Sequence, residues 1–191
     1  MKDPESLIGK ILSGDTKAFE SLVEAYQRLV SHIVFRMIHS DADREDICQE
    51  IFILIFKNLG NFKFESRLST WIATISYNRC INYLEKKRVP LLHDQSTDEG
   101  EAFEHFSSSE TLPDQQIAEQ DIAARLQSEI ENLPAQFRAI LTLYHLDEMK
   151  YNEIAEITGL PEGTVKSYLF RGRKLLKEKL MAKYRVEELW G

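Results

Sequence analysis

The residues of this chain best suited to contact a polyanion lie near its C-terminal end. The segment from Lys166 to Arg185 has eight basic residues and a single acid, although the chain as a whole has a net charge of −7. The basic residues are Lys166, Arg171, Arg173, Lys174, Lys177, Lys179, Lys183 and Arg185. Lysine and arginine neutralise nucleic-acid phosphates, so this segment predicts DNA binding. The alternative is a solvated helix whose basic residues only complement its dipole.

The pattern around the start of this segment is typical of a helix-turn-helix. Gly159 supplies a turn residue that tolerates a positive φ angle, and Pro161 suits the first turn of the next helix. Small Ala155 lets the two helices approach closely. The inward face of the second helix carries Val165, Leu169, Gly172 and Leu176. The outward side carries Lys166, Phe170, Arg173, Lys174 and Lys177, flanked by Ser167 and Arg171. The second helix of this motif enters the major groove of DNA.

The N-terminal half holds a second set of candidate residues on one helix face. In the stretch DADREDICQEIF, Asp46, Gln49 and Glu50 are spaced by three and four residues and so share a face. The apolar residues of that helix can be buried while this face contacts a partner. An ordinary solvated helix face is the alternative.

Two further segments can contact single-stranded nucleic acid. The loop GNFKFESRLSTW interleaves Phe62, Phe64 and Trp71 with Lys63 and Arg67, and aromatic rings beside positive charge suit unpaired bases. Phe62 and Trp71 can equally belong to the core. The following helix carries Asn78, Arg79 and Asn82, side chains that can contact base edges and phosphates, and ends in Lys86, Lys87 and Arg88.

Helices must position all of these residues, because apolar residues recur at helical spacing along most of the chain and strand signals are nearly absent. We expect helices over 5–13, 17–39, 43–59 and 69–87, with breaks at Gly14, Ser40-Asp41 and Gly60-Asn61. Between Asp94 and Glu131 there are eleven acids and one base. The sequence therefore predicts an all-α protein with two small helical domains, at 1–90 and 113–191, joined by a flexible acidic linker at 91–112.

Other functional classes find little support in the composition. The longest apolar run, IFILIF, is too short for a membrane span, and the N-terminal residues lack the pattern of a signal peptide, so we expect a cytoplasmic protein. Cys48 and Cys80 form no CxxC pair and are expected to be reduced. None of the five histidines has metal-ligand spacing, and no GxSxG, Walker A or GxGxxG motif occurs. We expect no enzyme activity, no metal and no cofactor.

Four motifs in this order resemble bacterial RNA polymerase sigma factors of the extracytoplasmic-function (ECF, group IV) subfamily. The motifs are DxxAFExLVxxY (Asp15 to Tyr26), DxxQExF (Asp46 to Phe52), STWIxxIxxNxxxNxL (Ser69 to Leu84) and a long C-terminal pattern from Leu133 to Leu176 that includes EIAExxGxPEGTVKS. The resemblance implies that residues 1–90 are sigma region 2 and that residues 113–191 are the helix-turn-helix of sigma region 4. It implies a factor that directs core RNA polymerase to promoters and promotes melting.

The resemblance also implies roles for individual residues. Asp46, Gln49 and Glu50 match the surface that docks on the clamp helices of the largest catalytic polymerase subunit. Minus-ten DNA contacts are implied for Phe62, Lys63, Phe64, Ser66, Arg67, Trp71, Asn78, Arg79 and Asn82. Minus-thirty-five contacts are implied for Glu162, Thr164, Lys166, Ser167, Phe170, Arg171, Arg173 and Lys174. Phe64 and Glu65 stand where relatives often carry Gly and Asp, so the base preference of relatives is not carried over.

Further partners follow from the same resemblance. It implies contact with the flap region of core polymerase, binding to promoter DNA, control by an anti-sigma factor in a stress response, and a monomeric free state without membrane insertion. The acidic linker would run in the polymerase channel, where its charge mimics nucleic acid, and the net charge would keep the free protein off random DNA. A helix-turn-helix regulator that binds duplex DNA without polymerase is the main alternative. An enzyme is a third class.

Overall fold

The computed structural model describes residues 4–88 and 119–184, and these residues form helices without any strand. The helices are α1 (Pro4–Leu12), α2 (Thr16–Met37), α3 (Asp41–Asn58), α4 (Leu68–Arg88), α5 (Glu119–Glu131), α6 (Ala135–His145), α7 (Tyr151–Thr158) and α8 (Glu162–Lys183). A short 3-10 turn, Leu59–Asn61, follows α3. The expected all-α class is confirmed, and the expected helix ends agree with the observed ones to within two residues in the N-terminal half. Within the described residues, no helix has the length and apolar character of a membrane span.

Side-chain caps fix where the N-terminal helices begin. The Asp15 carboxylate accepts a hydrogen bond from the Ala18 amide at 3.2 Å, and the Ser40 hydroxyl accepts one from the Asp43 amide at 3.5 Å. Each cap satisfies one of the backbone donors that a helix start leaves unpaired, which typically stabilises the helix by about 1 kcal/mol. Gly14, with a φ angle of 95°, makes the turn between α1 and α2. Local sequence therefore determines these boundaries.

The N-terminal domain is built around the contact between α2 and α4, with α3 packed against both helices. Ile33 of α2, Ile51 of α3 and Ile72 of α4 are completely buried. Burial of a side chain of this size contributes roughly 1.5–3 kcal/mol relative to an exposed position. The close packing leaves the outer faces of α3 and α4 as rigid platforms for polar side chains.

The C-terminal helices pack directly on the N-terminal ones. Helix α6 lies against α2, and α7 lies against α4. Asp147, just after α6, meets His32 of α2 with 3.0 Å between Oδ1 and Nδ1. The two predicted helical domains therefore touch each other in this structure. The predicted acidic linker, 91–112, lies outside the described residues.

Arg138 of α6 joins the C-terminal ends of two helices, α2 and α5, in the interior between the two domains. Its guanidinium donates to the carbonyl oxygens of Arg36 and Met37 at the end of α2, and to those of Glu131 and Leu133 at and after the end of α5. Only 4% of the residue is exposed, and burial lowers its pKa to about 10. The group remains charged at neutral pH. It satisfies carbonyls that helix ends leave unpaired, and its positive charge suits the negative end of each helix dipole.

We expect Arg138→Ala to lower the free energy of unfolding by about 2–4 kcal/mol, because buried carbonyls lose their donors. Arg138→Lys should lose less, since it keeps the charge but has fewer donors in a different geometry. Urea unfolding followed by circular dichroism measures both changes. The exposed Arg171→Ala is the matched control and should change stability by less than about 0.5 kcal/mol. A decrease in the free energy of unfolding for Arg138→Ala no larger than that of the control would contradict the structural role assigned to Arg138.

Candidate nucleic-acid interface

Helices α7 and α8 form the helix-turn-helix that the sequence predicts. Gly159 ends α7 with a φ angle of 70°, and Pro161 immediately precedes α8. Val165, Leu169 and Gly172 are buried on the inner face of α8. A β-carbon added at Gly172 would lie 3.2 Å from side-chain carbons of both Leu141 and Phe137, so this glycine permits the close approach of α8 to α6. The packing leaves the opposite side of α8 free to meet a ligand.

The outer side of α8 is exposed and basic. The exposed residues include Glu162, Lys166, Ser167, Phe170, Arg171, Arg173 and Lys174, while Thr164 is half-buried. Phe170 is 69% exposed, so its ring is accessible on this side of the helix. Arg173 is anchored by a 3.2 Å hydrogen bond to His145 and lies over the Tyr144 ring. The residues predicted to contact minus-thirty-five DNA therefore all lie on one helix, and their contact with DNA stays a prediction.

The aromatic loop between α3 and α4 is ordered by its own rings. Phe62 is buried, and its ring centroid lies 4.8 Å from that of Phe64 and 5.3 Å from that of Trp71. Trp71 is half-buried and Phe64 is 50% exposed. Phe64 is thus the ring of this cluster that is best placed to stack on a base, and the other two support it. The core role left open for Phe62 is the one observed.

Phe64 has a backbone conformation that side chains other than glycine rarely adopt. Its φ angle is 59°, in the left-handed region, which costs roughly 1–2 kcal/mol for a residue with a β-carbon. Such strain is found mainly where function requires a particular side chain. Phe64 therefore combines a strained backbone with an exposed ring.

The predicted polymerase-binding face and the predicted minus-ten helix meet at an ion pair. Asp46, Gln49 and Glu50 are all exposed on α3, as their spacing predicts. The Glu50 carboxylate accepts from Arg79 of α4, with 2.6 Å between Oε2 and Nε. Asn78 is exposed beside this pair. The two surfaces are therefore coupled through Glu50 and Arg79.

The basic end of α4 is partly neutralised from α3. Asp43 accepts from the Tyr83 hydroxyl at 2.5 Å and from Lys87 Nζ at 3.0 Å. These hydrogen bonds, that from Tyr83 first, lower the pKa of Asp43 to about 2. Asn82 and Lys86 are exposed on the same stretch of helix. Lys86 and Asn82 can therefore face DNA while Lys87 holds the two helices together.

The aromatic loop between α3 and α4, which is predicted to contact the minus-ten element, faces α7 of the C-terminal domain. Arg67 Nη1 lies 3.2 Å from Glu153 Oε1, and a cleft of about 400 Å³ separates the loop from the helix. The cleft is lined by Glu65, Ser66, Arg67, Thr70, Lys150, Asn152, Glu153 and Glu156. Lys63 is exposed outside it. The sequence does not predict Glu153 and Glu156 as neighbours of the loop, because nothing local indicates a contact between residues that are 86 positions apart.

The described residues show no group of His, Cys, Asp or Glu side chains arranged to hold a metal ion. Cys48 and Cys80 are free thiols, and burial raises the pKa of Cys80 to about 12. A thiol with so high a pKa is a poor nucleophile.

Comparisons with known proteins agree on one family. The family model described as Sigma-70 region 2 matches residues 22–89, and the one described as Sigma-70, region 4 matches residues 123–176. The ECF RNA polymerase sigma-E factor of Escherichia coli strain K12 is 34% identical over 91% of this chain and 92% of its own length. The ECF RNA polymerase sigma factor SigW of Bacillus subtilis is 30% identical over 91% and 94%. The sigma factor RpoE of Bartonella quintana, solved with the anti-sigma factor NepR, shares the fold, with a TM-score of 0.63, 23% identity, and coverage of 88% and 99%.

We expect Phe64→Gly to be more stable than Phe64→Ala by about 1 kcal/mol, because both lose the ring but only glycine relieves the left-handed backbone. Urea unfolding of the two variants measures this difference. Lys63→Gly and Lys63→Ala, at the exposed neighbouring position, give the comparison for a residue with ordinary φ. If glycine is no better than alanine at position 64, the strain assigned to this residue is wrong.

Proposed function

The chain belongs to the extracytoplasmic-function subfamily of the sigma-70 factors, and from that premise we propose which of its surfaces meet polymerase and promoter. As a member of this family it binds core RNA polymerase, directs it to specific promoters and promotes the melting that precedes transcription. Sigma factors are initiation factors and the polymerase is the catalyst. One observation supports the assignment of different promoter contacts to the two domains. The exposed basic helix, α8, belongs to one domain, and the exposed aromatic and amide surface belongs to the other.

Helix α8 is the proposed reader of the minus-thirty-five duplex. Lys166 and Arg171 are exposed on its outer side, where arginine or lysine can contact guanine acceptors or phosphates. Each good bidentate contact with a base edge discriminates by roughly 1–3 kcal/mol. The anchored Arg173 is held in position before DNA arrives, so less of its side-chain freedom is lost on binding.

The aromatic loop and Asn78 form the proposed site for an unstacked minus-ten base. Removing a base from the duplex costs a few kcal/mol, which stacking and hydrogen bonds in the site must return. Stacking on one aromatic ring returns about 1–3 kcal/mol per base, and Phe64 offers the exposed ring. Asn78 adds an amide that can contact a base edge, and Arg67 adds positive charge for the backbone.

The face made of Asp46, Gln49 and Glu50 is the proposed docking surface for the clamp helices of the largest polymerase subunit. All three side chains are exposed, and Ile47, Ile51 and Ile55 anchor the same helix in the core. We expect Glu50→Ala to lower the affinity for core polymerase while leaving the fold intact. An anti-sigma factor that covers one or both domains is part of the same proposal, since RpoE of Bartonella quintana binds one.

Run-off transcription with core RNA polymerase on fragmented genomic DNA tests the whole assignment. We expect new discrete transcripts that share an upstream motif and that depend on this protein. Specific binding to DNA without core polymerase, together with no new transcripts, would instead indicate a regulator that acts alone.

Two variants distinguish promoter binding from promoter melting at a promoter identified by run-off transcription. Arg171→Ala should weaken promoter binding by about 1–3 kcal/mol, or roughly five- to 150-fold, because it removes a contact to the upstream duplex. Asn78→Ala should leave that first binding nearly unchanged and reduce melting, which permanganate footprinting measures. Normal footprints with Asn78→Ala would remove this residue from the melting site.

A further inference from the structure

We propose that in the free chain α7 acts as a built-in competitor for the minus-ten loop, with the Glu153 carboxylate occupying Arg67 where a DNA phosphate would otherwise bind. The inference rests on the proposed function, which assigns Arg67 to DNA. It adds a contact between the two proposed promoter-binding domains, in which α7 of the C-terminal domain covers Arg67 of the N-terminal domain. Carboxylate and phosphate are the two anions that a guanidinium binds in the same geometry, so they compete for Arg67.

The geometry of the contact supports this competition. Arg67 Nη1 and Glu153 Oε1 are 3.2 Å apart, and the Glu153 side chain is only 12% exposed although Arg67 remains 69% exposed. Glu153 reaches the loop from the first turn of α7, where its other carboxylate oxygen accepts from the Lys150 amide at 2.9 Å. The helix start therefore holds the carboxylate in place before it meets Arg67.

The charge around Arg67 strengthens the barrier to DNA. Three carboxylates line the cleft, those of Glu65, Glu153 and Glu156, against the two cations of Arg67 and Lys150. A nucleic-acid strand that entered the cleft would bring its phosphates close to Glu153 and Glu156. Like charges at short range disfavour its entry, so the strand must displace α7 before it can use the loop.

The distance between the two promoter elements shows that the closed contact must open on DNA. Elements named for positions minus ten and minus thirty-five are separated by about 25 base pairs, or roughly 85 Å at 3.4 Å per base pair. Helix α7 is the immediate neighbour of the proposed duplex-reading helix α8, and it touches the minus-ten loop. The helix pair α7–α8 and the aromatic loop cannot stay in contact with each other and also reach two promoter elements so far apart. The 30 residues between positions 88 and 119 can span at most about 100 Å, which is sufficient reach for the open arrangement.

Opening must break the two hydrogen bonds that Arg138 donates to the end of α2, so core polymerase and DNA have to compensate for their loss. The remaining contacts are weaker. The Arg67–Glu153 pair is partly solvated, and such pairs contribute about 0.2–1 kcal/mol. Asp147 meets His32 across the domains, yet its Oδ2 is buried without a hydrogen-bond partner among the described residues, and burial raises its pKa. This unsatisfied oxygen lowers the stability of the closed form and is hydrated when the domains separate.

A zero-length crosslink tests the contact without any transcription assay. Arg67→Lys places an amine opposite Glu153, and a carbodiimide joins amine to carboxylate only when the two are in contact. In the full-length free chain we expect a crosslinked peptide that joins positions 67 and 153, identified by mass spectrometry, and its loss when core polymerase is added. Absence of this crosslink in the free chain would overturn the proposal, whether or not the protein supports transcription.

Binding of single-stranded DNA by the free chain tests the competition itself. Glu153→Gln removes the charge but keeps an oxygen that can cap α7, so we expect roughly a two- to fivefold higher affinity for a non-template-strand oligonucleotide carrying the minus-ten element. Glu20→Gln is the matched control, because Glu20 is exposed on α2, outside the cleft and outside the surfaces proposed to bind DNA. An unchanged affinity for Glu153→Gln, or an equal rise in both variants, would overturn the proposal.

Discussion

The packing of α6 against the end of α2 is the contact on which the rest of the arrangement depends. Arg138 lies at the centre of this contact. Its buried guanidinium needs several acceptors, and the ends of α2 and α5 provide four carbonyls. Those carbonyls in turn need donors, because a helix cannot satisfy its last turn by itself. One charged group therefore fixes three helices relative to one another. Helix α7 follows α6 after a short turn. The packing of α6 therefore also determines where α7 lies against the aromatic loop between α3 and α4.

Each functional surface is the exposed side of a helix whose other side is core. On α3, three buried isoleucines hold Glu50 and its neighbours outward. On α8, Val165, Leu169 and Gly172 do the same for the basic residues. The protein can therefore be acidic overall and still present positive charge to DNA. The cations of α8 are exposed on its outer side, whereas Asp46 and Glu50 are exposed on α3.

The sequence predicts these helices and faces because the information is local. Spacing by three and four residues places Asp46 and Glu50 together, and Gly159 marks the turn of the helix-turn-helix. Contacts between the domains are different, since they depend on shape complementarity between segments far apart in the chain. No local pattern pairs Arg67 with Glu153. The sequence does indicate that Arg138 is buried, because it lies inside the apolar run FRAILTL. A buried arginine needs hydrogen-bond acceptors, but the local sequence does not show which residues provide them.

Phe64 combines a strained backbone with an exposed ring. Glycine would adopt the left-handed conformation of this position without strain, whereas for phenylalanine it costs roughly 1–2 kcal/mol. The contact of its ring with Phe62, at 4.8 Å between centroids, offsets part of that cost. The exposed half of the ring is the part that we propose stacks on a base. If the loop keeps this conformation when DNA binds, the strain is present in both states and cancels from the binding free energy, so the contribution of the ring to base capture is the stacking itself.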